Sequence, residues 1–166
     1  MVPTLDENDM ETILAALAAG SARIERVQLK ARTVWIKRYG RHGQRLVQRF
    51  QWLASRLTGR TFLRPSPLLR PEEAVDREVR QIAAFSAAGF MTPEVLYRGP
   101  TAIVLSHLGL PVLRQMSELD DNSEAHDALL IRCASELGKL HAAGLCHGRP
   151  HPRDFVLNEG RFGFLD

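Results

Sequence analysis

The sequence predicts an α+β domain built on a small antiparallel sheet. Three observations lead there. Strand-like and helix-like segments are intermixed, but they never alternate as repeated β-α-β units. The strand-like segments come in neighbouring pairs joined by short polar turns, the pattern of hairpins. The chain has 166 residues, 45% of them hydrophobic and 25% charged. A chain of that size buries roughly 68–70% of its unfolded surface, so a core forms without staples.

The elements follow in order. An amphipathic helix is expected over residues 9–19, with Asn8 and Glu11 at capping-box spacing and Gly20 as its stop. Two strands follow at 23–29 and 33–39, joined by a turn at 30–32. The second reads Thr-Val-Trp-Ile-Lys-Arg-Tyr, rich in β-branched and aromatic residues. Within 41–70, Leu46, Phe50, Leu53 and Leu57 recur at helical spacing among Arg45, Arg49 and Arg56, and Gly59, Pro65 and Pro67 close the element. Pro71-Glu72-Glu73 opens a helix reaching residue 88, since Pro at the first helical position and acids in the first turn suit the helix dipole. Strands at 94–97 and 101–106 flank the turn Arg98-Gly99-Pro100. After a loop around 109–111, a long helix is expected over 124–143, with Leu129, Cys133, Leu137 and Leu140 in one stripe. The chain ends in a short hairpin, 155–158 and 161–166, around Glu159-Gly160.

The net charge of +3 conceals three blocks: −4 over residues 1–22, +12 over 23–70 and −5 over 71–166. Such a segregated positive block points to a polyanionic partner. Two cysteines, Cys133 and Cys146, are too few for a disulfide framework and fit a reducing compartment. The first twenty residues carry four acids and no Lys or Arg, unlike a secretory leader. The apolar run at 13–19 is far short of the ~20 residues of a membrane span. A cytoplasmic chain is expected.

Two charged residues sit where apolar ones belong. Lys37 interrupts the most strand-like segment, between Ile36 and Tyr39. Glu78 shares a helical stripe with Val75, Ile82 and Phe85. Either both side chains snorkel to solvent, or they meet, because a buried carboxylate is costly unless it finds a cation and donors.

The whole order of elements resembles the protein-kinase-like fold, in which a strand lysine pairs with a helix glutamate. Within that superfamily it is most similar to the small bacterial lipopolysaccharide-core (Kdo/heptose) kinases, with aminoglycoside and KEOPS-type kinases as relatives. The residues carrying the resemblance are Val34-Trp35-Ile36-Lys37-Arg38-Tyr39, Arg77-Glu78-Val79, Ala88-Gly89-Phe90-Met91-Thr92-Pro93 and Leu140-His141-Ala142-Ala143-Gly144-Leu145-Cys146-His147-Gly148. The resemblance as a whole covers roughly residues 20–166. The resemblance implies an N-lobe-like unit at 23–108, preceded by a helical segment at 1–22. A partial helical C-lobe follows at 109–166 and stops after the metal-site aspartate, as in a fragment or a scaffold that no longer phosphorylates.

It also implies roles. Lys37 would contact the phosphates of ATP and Glu78 would orient it. Ser106, His107 and Leu108 would form the hinge beside the adenine. Asp166 would hold Mg²⁺. In place of a glycine-rich loop there is Gly20-Ser21-Ala22-Arg23, which reads equally as a helix stop. The catalytic loop departs from the pattern. Arg149 stands where kinases place the catalytic aspartate, and an arginine accepts no proton. Asp154 stands at the asparagine position. Two readings stay open. One is a phosphotransferase in which Asp154 and Asp166 hold Mg²⁺, Asp154 or His151 takes the proton late, and Arg149 cradles phosphate. The other is a pseudokinase that serves as a nucleotide-, polyanion- or protein-binding module. His141, Cys146, His147 and His151 fall within eleven residues and raise zinc as a further expectation, although their spacing matches no closed site.

Residues 41–70 hold seven arginines and no acid, together with Phe50, Trp52, Leu53, Leu57, Phe62 and Leu63. A solvated face is the ordinary explanation of a charge run. A basic amphipathic helix with aromatics also suits an anionic membrane surface or a phosphorylated glycolipid, hence a peripheral location on the inner membrane. Nucleic acid is the competing polyanion, without an aromatic RNA-binding signature to support it.

Overall fold

Helix α1 spans Glu7–Ala19 and starts on Asp6, whose carboxylate accepts the Asp9 N–H at 2.7 Å. The cap thus lies two residues ahead of the predicted Asn8, because either side chain can serve and Asp6 carries a charge that the helix dipole favours. Gly20 closes the helix, donating its N–H to the Ala16 carbonyl at 2.9 Å, which is the helix-stop reading of that glycine. The computed structural model describes residues 5–40, 45–60, 69–119, 123–148 and 150–165. Arg149, Asp166 and the prolines at 65 and 67 lie outside the described residues.

Four antiparallel strands form a sheet in the order β1-β2-β4-β3: β1 Ile24–Gln28, β2 Thr33–Arg38, β3 Val95–Arg98 and β4 Ala102–Ser106. Lys37 sits opposite Ile24 on one side and Ile103 on the other. Because side chains alternate along a strand, β2 serves two layers. Val34 and Ile36 pack with Val104, Leu29 and Ile13 beneath α1. Ile103 and Leu105 pack on the other side with Val75 and Ile82 of helix α3, Pro71–Ala87. Arg38 fastens α1 to the sheet. Its guanidinium donates to the Ala16 and Ala22 carbonyls at 2.6 and 2.9 Å and pairs with Glu25 at 2.8 Å, a cation well placed at a helix C-terminus. Between β2 and α3 runs helix α2, Arg45–Thr58.

The remaining elements build a second core. They are α4 (Val112–Met116), α5 (Ser123–Ala142), a turn of 3₁₀ helix at Pro152–Asp154, and the hairpin β5 (Phe155–Asn158) and β6 (Arg161–Phe164). Phe85, Val112, Cys133, Leu140, Phe155 and Phe164 are buried together, with Leu129 and Leu137 packed against them. The predicted α5 stripe is therefore the inward face. Helix α4 has no counterpart in the sequence reading; five residues are too few to display a period, and Pro111 before them reads as loop. The hairpin is tied to the chain before α4. The Phe164 N–H donates to the Met91 carbonyl at 2.9 Å, and Gly163 bridges Met91. A Cβ on Gly163 would lie 2.8 Å from that carbonyl oxygen, so the approach depends on glycine.

Helix α3 belongs to both cores. Val75 and Ile82 seat it on the sheet while Phe85 enters the hairpin core. Each of these buried side chains contributes about 1.5–3 kcal/mol. The result is a mixed α+β architecture with a small antiparallel sheet, as predicted.

Candidate functional site

Lys37 and Glu78 meet. Lys37 Nζ lies 2.8 Å from Glu78 Oε1, with side-chain exposures of only 8% and 12%. The strand alternation that puts Val34 and Ile36 under α1 turns Lys37 toward α3, and the spacing of Val75, Ile82 and Phe85 turns Glu78 toward the sheet. The Tyr39 hydroxyl donates to the other oxygen, Glu78 Oε2. Both oxygens of the carboxylate are thereby engaged, which is what makes its burial tolerable.

The pair opens on a cleft of about 320 Å³ that is also lined by Asp154 and His147. Arg23, Arg77 and Arg153 line it too, so among the described residues four cations face two carboxylates. Asp154 is held from its backbone. Its N–H donates to the His151 carbonyl at 2.8 Å, and its own carbonyl accepts the Leu165 N–H at 2.8 Å. Its Oδ1 lies 3.5 Å from Arg153 Nε, and the residue is 9% exposed. His147 is buried with its ring stacked on Phe155, centroids 6.0 Å apart. A second, larger cleft of about 390 Å³ lies beside Arg38 and Gly99. Among the described residues its wall has no acidic or histidine side chain, so its size is not a reason to place chemistry there.

Other sequence-predicted residues fall elsewhere. Ser106, His107 and Leu108 leave the end of β4 and do not line the cleft of Lys37 and Asp154. Instead they tie neighbouring segments together. The Glu94 N–H donates to Ser106 Oγ at 2.8 Å. The Trp35 indole N–H donates to His107 Nδ1 at 3.0 Å, and Asn158 Nδ2 donates to the Leu108 carbonyl at 3.1 Å. Burial, and after it the positive charge of Arg26, holds His107 below the usual histidine pKa, in keeping with a neutral ring that accepts at Nδ1. His151 is exposed and its Nδ1 accepts the Arg153 N–H at 3.3 Å. It caps the 3₁₀ turn and does not line the cleft. The zinc expectation is corrected: among the described residues no group of three His, Cys, Asp or Glu side chains is assembled to hold a metal ion. His147, for one, is turned into an aromatic core. Arg149 and Asp166 lie outside the described residues.

Tyr39, His147, Arg23 and Arg153 line the cleft without having been singled out as cleft residues from the sequence. Tyr39 carried a signal, since it follows Lys37 by two positions in an extended segment and so shares its side. The arginines carried none, because their meeting depends on contacts distant along the chain.

No helix among the described residues is long and apolar enough to cross a membrane. No family model matches the chain. An uncharacterized protein of Haemophilus influenzae is 26% identical over 96 residues, which are 58% of this chain and 40% of that protein. The solved structure of the Rv3197–erythromycin complex from Mycobacterium tuberculosis is similar in fold, with a TM-score of 0.50 at 22% identity, over 89% of this chain and 44% of that one. The chain thus spans less than half the length of either protein.

Proposed function

We propose that the chain carries a kinase-like, ATP-dependent phosphotransferase site on a protein-kinase-like fold, with Lys37 as its phosphate-binding cation. The observation that carries this reading is the buried Lys37–Glu78 pair at 2.8 Å, opening on a cationic cleft beside a buried carboxylate. The sheet order with α3 laid across one face, and the second core that the elements after β4 build against Phe85, support it. The residues present fit the nucleotide and its metal. Among the described residues, four cations against two carboxylates favour a polyphosphate, and Asp154 supplies the hard oxygen donor that Mg²⁺ takes together with phosphate oxygens. Bound MgATP supplies the transferable phosphoryl group. Glu78 and Tyr39 fix the Lys37 ammonium, so that its charge is pre-placed and is not gathered from a mobile side chain. Asp154 would hold the metal, with Asp166 as its partner on the resemblance. The acceptor, a hydroxyl of a lipopolysaccharide core or another sugar, rests on the resemblance alone.

The test is a thermal shift with millimolar MgATP. At a hundredfold excess over Kd the expected stabilisation is about 2.7 kcal/mol, and it should vanish in Lys37→Ala and fall in Asp154→Ala. A wild-type chain indifferent to MgATP would sink the proposal. A second reading is favoured by one sequence fact, Arg149 at the position of the catalytic aspartate. On it the fold binds nucleotide and transfers nothing. Its signature is a retained MgATP shift with no phosphoryl transfer to water or to Kdo and heptose acceptors.

A further inference from the structure

Helix α2 is built inside out. Phe50, Leu53 and Leu57 lie within a narrow stripe at about 100° per residue, yet they are 72%, 47% and 78% exposed. Ser55, roughly 140–160° round the helix from them, is the buried residue among the described side chains of the helix. A helix seated on its own protein would show the reverse. Trp52, half exposed, lies about 100° round the helix from Leu53, on the side of Arg56, whose guanidinium stands over its ring at 4.9 Å. The helix combines a strongly one-sided apolar distribution with low overall hydrophobicity, the combination that marks a helix lying in an interface, not one buried in a core. The segment around it, 41–70, holds seven arginines and no acid.

From this we infer that α2 docks on the surface of an anionic phospholipid bilayer, with Phe50, Leu53 and Leu57 entering the acyl boundary and Arg56 facing the headgroups. The inference stands apart from the phosphotransferase reading and uses none of its residues. Charge and apolarity select the occupant together. A nucleic acid would complement the arginines but offers nothing to three bare apolar side chains in a row. An apolar protein groove would cover the stripe but would have to supply the whole counter-charge from its own rim. An anionic bilayer presents a negative plane over an apolar layer, and so answers both sides of the helix.

The test uses the whole chain with vesicles of phosphatidylcholine, alone or with 30% phosphatidylglycerol, in flotation at 50 and 150 mM NaCl. Binding should favour the anionic vesicles at least tenfold and weaken with salt. The triple change Phe50→Ser, Leu53→Ser, Leu57→Ser should lower it at least tenfold while circular dichroism stays that of the wild type. Arg56→Gln should lower it about fivefold. The chain has two tryptophans, Trp35 and Trp52, so Trp35→Phe leaves Trp52 as the probe. Its emission should shift to the blue and be quenched by brominated lipid, a readout that does not depend on the triple variant folding. The inference is overturned by equal binding to neutral and anionic vesicles, or by binding to neither. A gel shift with tRNA under conditions where vesicles do not bind overturns it as well. So does a dimer in solution that the triple change dissolves.

Discussion

Replacing Glu78 with Gln should destabilise the fold by about 3 kcal/mol, and removing Lys37 as well should return most of that loss. At 2.8 Å and an effective dielectric of about 20, the attraction between the two charges is roughly 6 kcal/mol. Withdrawing two ions to exposures of 8% and 12% costs several kcal/mol apiece, so the pair as a whole contributes little. Each ion nevertheless depends on the other. Glu78→Gln keeps the shape but removes the Glu78 carboxylate from beside the Lys37 ammonium in a buried strand position, and losses of about 3–5 kcal/mol follow from breaking buried pairs. Lys37→Met should cost less, about 2 kcal/mol, because the Tyr39 hydroxyl still donates to Glu78. The double change Lys37→Met, Glu78→Gln, which removes both charges, should lie within about 1 kcal/mol of the wild type; against single losses of about 3 and about 2 kcal/mol this gives a coupling energy of about 4 kcal/mol. Urea unfolding of the four proteins measures this, provided the slope m is unchanged. Single losses below about 1 kcal/mol that simply add would refute the argument, since they would mean that water screens the pair as it screens a surface bridge. The double variant also separates fold from function: it should be folded and indifferent to MgATP.

Three further outcomes are expected. Gly163→Ala would push a methyl group against the Met91 carbonyl oxygen, 2.8 Å from the ideal Cβ position, and should cost about 1–3 kcal/mol in urea unfolding; a neutral result would mean that the hairpin is not seated there. His107 should titrate below the usual histidine range by NMR and move back toward it in Trp35→Phe, which removes the indole donor to Nδ1. Because the folded pKa is lowered, the unfolded chain binds more protons. The His107 contribution to stability is therefore complete above about pH 6.5 and is lost as pH falls through the folded value. Burial raises the Cys133 thiol pKa, with Arg132 offsetting it only in part, whereas Cys146 is exposed. A thiol reagent at pH 8 should consume Cys146 first and reach Cys133 only on unfolding, as mass spectrometry of the labelled peptides would show.

The elements that were legible are those whose side chains declare a period. Helix α3 could be read because Val75, Ile82 and Phe85 mark its face, and the misfit of Glu78 on that face was itself the clue to the pair. Strand β2 could be read because Val34, Trp35 and Ile36 favour a sheet, and again the misfit, Lys37, was the informative residue. What remained illegible depended on direction or distance. The order of elements says that a hinge-like segment follows β4 but not which cleft its side chains face. Ser106, His107 and Leu108 were therefore named for a site whose Lys37–Asp154 cleft they do not line. His151 was offered, with Asp154, as a late proton acceptor within the kinase-like reading; in the structure its Nδ1 accepts the Arg153 N–H two residues on, a local contact that the order of elements does not announce. Asp6 and Asn8 are equivalent caps on paper, and a boundary of two residues is what such equivalence leaves undecided.

The position of the pair within α3 explains how two separate cores define one site. The ammonium of Lys37 is placed by β2, and the carboxylate of Asp154 by the turn that leads into the hairpin. Neither strand nor hairpin belongs to the core of the other. Helix α3 lies in both, seated on the sheet by Val75 and Ile82 and on the hairpin core by Phe85, with Glu78 on the same face between those anchors. A helix resists bending over a few turns, so fixing Phe85 also limits where Glu78, and hence Lys37, stands relative to Asp154. A cavity at Phe85 would therefore loosen the site as well as the core. Loss of stability and loss of geometry in such a variant would have one cause, the single helix through which both cores set the distance across the cleft.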